Sequence, residues 1–101
     1  MDMSEILMLM IAYSGESISS SMEAIAAAQR GDLKGAEELM EKAMEALGKA
    51  HEVHVDLLAR EANGEKLEIT LLLIHASNHM SNAEMMHSVA ECFLQHYKGG
   101  K

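Results

Sequence analysis

The chain has 101 residues, 49% of them hydrophobic, with no proline and a formal net charge of −8 from sixteen acidic and eight basic residues. That balance leaves no basic stripe to displace counterions from nucleic acid or to hold an anionic membrane surface, so neither is an expected partner. The size and apolar content predict one packed domain, 1–101, and the dominance of Ala, Leu, Met and Glu predicts an all-α fold.

The first residues, Met1 to Glu5, are followed by an apolar run from Ile6 to Ile11. Six residues cannot span a bilayer, and no basic segment precedes them, so a cytoplasmic protein is expected. A first helix is predicted over about 4–30. Gly31 then suits a helix end that needs positive φ, and Asp32 suits the N-cap of the next helix. The second helix, about 32–61, carries Glu37, Glu38, Glu41, Lys42, Glu45, Lys49 and Glu52, a broad solvated face. His51 and His54 read as ordinary surface histidines on it, although a partner-contact or metal pair is the other reading.

Asn63-Gly64 marks a second turn, and a third helix is predicted over about 67–97, with Gly99, Gly100 and Lys101 as a loose end. Short links between long helices give an up-down-up antiparallel three-helix bundle. The runs Ile6–Ile11 and Leu71–Ile74 surround their helices with apolar side chains, so helices 1 and 3 are expected to pack against further copies of the chain. Cys92, the single cysteine, is expected to be a buried thiol, and Met8, Met10, Met40, Met44, Met85 and Met86 to fill core or interface.

In the third helix the apolar pattern gives way at Ile74-His75-Ala76-Ser77-Asn78-His79-Met80-Ser81-Asn82, where residues 75, 78, 79 and 82 share one face. Helix side chains lean toward the N-terminus, so His79 should reach back to His75, and His75 should lie over a dry floor of Leu71 and Leu72. An unperturbed imidazole is largely neutral at cytosolic pH and can attack phosphorus. Phosphoryl transfer asks the protein mainly for positioning and charge stabilisation, which Ser77, Asn78, His79, Ser81 and Asn82 have the donors to supply. Two other readings stay open on the residues alone: a polar seam that fixes helix register, or part of a zinc site at i, i+4 that lacks a third ligand.

Nearly the whole chain resembles the lactose/cellobiose-type enzyme IIA component of the bacterial sugar phosphotransferase system. The resemblance runs through AYSGESISSSMEAIAAAQRGDLKGAEELMEKAMEALGKAHEVH and LLAREANGEKLEITLLLIHASNHM, and LLLIHASNHM aligns without a gap to a signature of the form L-L-V-H-A-Q-D-H-L-M. It implies a homotrimer in which His75 accepts a phosphoryl group from phospho-HPr, through Nε2. The group then passes to a cysteine of the cognate IIB component during uptake of a β-linked disaccharide of the lactose, cellobiose or chitobiose class. The membrane component IIC would be reached only indirectly, and no cofactor is implied. His79 would orient or stabilise charge, with Ser77, Asn78 and Asn82 near the phosphate or the trimer axis.

Five positions depart from the family pattern. Ser77 and Asn78 stand where the family has Gln and Asp, Met80 and Ser81 where it has Leu and Met, and Ile18 replaces a common Arg. The family's Asp converges on the trimer axis and binds a divalent cation. Asn78 removes both the like-charge repulsion and the hard anionic ligand, so no metal is expected. The stretch AIAAAQRGDLKGAEELMEKAMEAL also resembles a tetratricopeptide repeat, which would make the chain an interaction module; a structural or regulatory helical oligomer without phosphotransfer is the other alternative. A single copy lacks the neighbours that such repeats need to bury their faces.

Overall fold

The computed structural model describes residues 1–99. They form α1 (Met3–Gln29), α2 (Leu33–Ala62) and α3 (Leu71–Gly99), an up-down-up bundle about 52 × 20 × 18 Å. Each boundary has a local cause. Asp2 accepts from the Glu5 backbone at 2.9 Å while the Glu5 carboxylate accepts from the Asp2 backbone at 3.0 Å, a capping box that satisfies two orphan donors of α1. At the first link Gly31 adopts φ +86°, and the Asp32 carboxylate caps α2 by accepting from Gly35 N–H at 2.9 Å. A β-carbon on Gly35 would collide with that carboxylate, so this glycine makes room for the cap.

The second link differs from expectation. Gly64 makes the turn at φ +95°, but residues 65–70 stay outside regular structure and α3 begins at Leu71, four residues later than predicted. Thr70 is the reason: its Oγ1 accepts from Leu73 N–H at 3.1 Å and its carbonyl from Ile74 N–H. Leu67 is meanwhile packed against the core cluster of Ile6, Leu7, Met10 and Leu57. At the other end Gly99 belongs to α3, not to a loose tail, and Gly100 and Lys101 lie outside the described residues.

α1 is the central helix, packed extensively on both α2 and α3, which touch each other less. Its buried positions Leu7, Met10, Ser14, Ser17, Ser21, Ala24 and Ala28 alternate by three and four, the spacing of a seam. Mid-bundle, this seam is serine facing alanine. Ser17 Oγ donates to the Ala43 carbonyl at 2.8 Å, and Ser14 and Ser21 are fully buried with no partner for their hydroxyls among the described residues. Larger side chains fill only the two ends: Ile6, Leu7, Met10, Leu57 and Met80 at one, Met40 and Leu94 at the other.

Three expectations need correction. The Ile6–Ile11 run is not an open face, because α2 and α3 flank α1: Ile6, Leu7 and Met10 are buried, Leu9 and Ile11 half-buried, and only Met8 is exposed. The helix that keeps an open apolar face is α3. Cys92 is exposed rather than buried, since the core positions Ala90 and Leu94 lie two residues to either side and therefore point the other way. Of the six methionines assigned to packing, Met10 and Met40 are buried and Met86 is half-buried, while Met8, Met44 and Met85 face outward. The acidic face of α2 is solvated as expected, and among the described residues no helix is long and apolar enough to cross a membrane.

Candidate functional site

Because α3 starts at Leu71, His75 is its fifth residue, one turn from the helix N-terminus and not the ninth, as the predicted boundaries implied. The leaning geometry brings His79 back onto it. The two Nε2 atoms are 3.2 Å apart, with ring centroids at 4.5 Å and planes at 86°, edge to face. His75 is exposed and its Nε2 has this one partner; His79 is half-buried, with Nδ1 shut away from solvent and unpartnered.

That burial constrains the protons. A buried N–H without an acceptor is costlier to leave than a bare acceptor atom. The favoured arrangement therefore puts the His79 proton on Nε2, donated to His75 Nε2, and the His75 proton on Nδ1. His75 then presents a ring-nitrogen lone pair at Nε2, held by a single hydrogen bond and reachable from solvent.

The other site residues divide by direction. Asn78 and Asn82 are exposed on the His75 side of α3, and neither bonds to an imidazole. Ser77 turns the other way, into a shallow groove shared with His54, Leu58, Ile69 and Leu73 between α2 and α3. His51 stays on the surface. The dry floor expected under His75 is absent from the protomer, because Leu71 is 82% exposed and Leu72 half-buried. Ile18 is half-buried on α1 and supplies no charge to the site. Thr70 is the residue that the sequence reading missed; by starting α3 it sets where His75 stands, and its signal was an N-cap residue directly before a leucine run.

Among the described residues no group of three or more His, Cys, Asp or Glu could hold a metal ion, so the His75–His79 pair lacks the third ligand that zinc requires. The pair can instead act as nucleophile and hydrogen-bond donor. An exposed imidazole with one ring nitrogen unprotonated is suited to accept a group from another macromolecule.

Known proteins place this arrangement. Residues 5–98 match the family model of the lactose/cellobiose-specific IIA subunit of the PTS system. The lichenan-specific phosphotransferase enzyme IIA component of Bacillus subtilis is 40% identical over 97 residues, spanning 96% of this chain and 88% of that protein. The PTS lactose-specific EIIA component of Streptococcus mutans is 33% identical over 90 residues, or 89% and 86% of the two chains. The crystal structure of the PTS cellobiose-specific enzyme IIA from Bacillus anthracis superposes with a TM-score of 0.92 at 40% identity, covering 97% of this chain and 91% of that one. Such a match over the whole bundle displaces the tetratricopeptide reading, and the chain belongs to the lactose/cellobiose-specific IIA family of the sugar phosphotransferase system.

Proposed function

We propose that the chain is a phosphoryl carrier, accepting the group on His75 Nε2 from the phosphohistidine of HPr and passing it to the cysteine of its cognate IIB component. The observation that supports this most directly is the exposed His75 ring with Nε2 3.2 Å from His79 Nε2. In the first transfer the His75 Nε2 lone pair forms the new P–N bond as the donor's P–N bond breaks, and the donor imidazole leaves with the bonding pair. The His79 N–H, released from His75 Nε2, turns to a phosphoryl oxygen. In the second transfer the IIB thiolate attacks phosphorus, a P–S bond replaces P–N, and the His75–His79 hydrogen bond re-forms. Little covalent work falls to the protein; it positions the groups and stabilises charge.

The groove beside Ser77, with exposed Leu58 and Ile69 at its rim, offers a partner protein a partly apolar surface on the other flank of α3 from the ring. The working assembly is a homotrimer in which neighbouring protomers supply the apolar cover that His75 lacks in one chain. Relatives named for lichenan, lactose and cellobiose point to β-linked sugars as the class transported.

Incubation with enzyme I, HPr and phosphoenolpyruvate, followed by intact-mass spectrometry, tests the carrier role. One acid-labile phosphoryl group is expected on the wild-type chain, transferable to the matching IIB protein, and none on His75→Ala. Absence of the labile group, or its survival in His75→Ala, refutes the assignment and leaves a helical oligomer without phosphotransfer.

A further inference from the structure

The apolar ledger of the protomer is inverted. Apart from alanine, the buried hydrophobic side chains among the described residues are seven: Ile6, Leu7, Met10, Met40, Leu57, Met80 and Leu94, while thirteen large hydrophobics are exposed, six of them on α3. A protomer with so thin a core has its remaining burial still to make. On α3 the core stripe runs Ala76, Met80, Ala83, His87, Ala90, Leu94. A second stripe of the same three-four spacing starts at Leu71 and His75 and continues through Asn78, Asn82, Met85, Val89, Cys92 and His96, every member exposed. It is displaced from the first by five residues, about 140° around the helix. In a chain with sixteen acidic and eight basic residues, this stripe carries no Asp, Glu, Lys or Arg. An uncharged heptad seam of this kind is complementary to itself in parallel copies.

We infer that the trimer proposed above holds together without a divalent cation, the Asn78 carboxamides of the α3 stripe taking the place that cation-bridged carboxylates hold in the family. The inference rests on the trimeric part of the reading above and is independent of phosphotransfer. The implied cation does not fit the donor set here. Magnesium and calcium sites rely on carboxylates for their anionic oxygens, and neither Asn78 nor any other residue of the stripe has one, leaving only neutral amide oxygens. Three carboxylates meeting at an axis repel and need a cation between them. Three carboxamides do not, since each brings an acceptor and a donor and can bond to its neighbour in a ring. Amides in such a seam, here Asn78 and Asn82, also favour one register, because a slip leaves them unpaired. His75 is second on the stripe, one turn from its end, which puts the imidazole at the mouth of the seam and within a partner's reach.

Sedimentation equilibrium of the full chain, with EDTA or with magnesium, calcium or manganese, tests this. The trimer mass is expected in every buffer, with association constants equal within about threefold. Asn78→Asp is expected to dissociate at least tenfold more readily in EDTA and to recover with a divalent cation, and Val89→Asp, far from the ring, to dissociate in all buffers. A short bis-maleimide is expected to join Cys92 of two chains, giving a species of twice the chain mass. Dissociation of the wild type by EDTA, an Asn78→Asp variant indifferent to chelator, or no Cys92 cross-link would each overturn the inference. Phosphorylation of His75 is read separately, so a chain that accepts phosphate yet dissociates in EDTA refutes this inference alone.

Discussion

Replacing His79 by alanine removes the one side-chain partner that His75 Nε2 has among the described residues, a donor at 3.2 Å. If that N–H turns to a phosphoryl oxygen during transfer, it makes a hydrogen bond to a charged group, worth about 1.5–3 kcal/mol. At about 1.4 kcal/mol per factor of ten in rate, the loss corresponds to a roughly 10- to 150-fold slower transfer from phospho-HPr. His79→Gln keeps an N–H donor of similar reach and should recover part of the rate. Rapid-quench measurement of phosphohistidine formation under single-turnover conditions isolates the step, with circular dichroism and sedimentation to confirm an intact assembly. Wild-type transfer by His79→Ala would refute the reasoning, because the donor would then have no part in stabilising the transferred group.

The remaining predictions concern the bundle, with stability read by denaturant unfolding at fixed chain concentration, since association and stability are linked. Met10→Ala empties a fully buried site among Ile6, Leu57 and Met80 and should cost about 2–5 kcal/mol. Ser17→Ala loses one hydrogen bond to Ala43, about 1 kcal/mol, whereas Ser17→Val forces extra volume into the close α1–α2 contact and should cost about 1–3 kcal/mol. Asp32→Ala should cost about 1 kcal/mol by removing the α2 cap; because a methyl on Gly35 displaces the same carboxylate, the double variant with Gly35→Ala should cost less than the sum. Glu37→Gln should change stability by no more than about 0.5 kcal/mol, since its ion pair with Lys98 is about half exposed on both sides.

Much of the fold was legible because its determinants are local. Glycine with an N-cap residue at Gly31-Asp32, and Asn63-Gly64, announce chain reversals whatever the tertiary context, and both stand where they were expected. The start of α3 is less legible: Leu67, Glu68 and Ile69 fit a helix by pattern, but Thr70 caps the helix at Leu71 and Leu67 packs against residues from other helices. Which apolar faces stay open depends on which helix is central, a tertiary fact; hence the Ile6–Ile11 run was read as unsatisfied although α2 and α3 flank it. The serine seam of α1 escaped notice for a related reason. Serine on a helix reads as surface, and only close helix approach makes a small polar residue the one that fits. At the site, the His75–His79 reach followed from helix geometry alone. The cover over His75 did not, because it involves surfaces that one chain does not contain.

Thr70 has an electrostatic consequence. By ending the extended segment there, it leaves His75 in the second turn of α3, with its side chain leaning toward the helix's positive pole. A phosphoryl dianion on that ring would sit in a favourable field that uncharged imidazole barely senses, so the backbone itself would help retain the cargo until a competing thiolate arrives. Were residues 67–70 to wind into another helical turn, the pole would move about 6 Å away, four residues at 1.5 Å each, and the ring would lose most of that help. The non-helical stretch before α3 is thus part of how firmly the group is held.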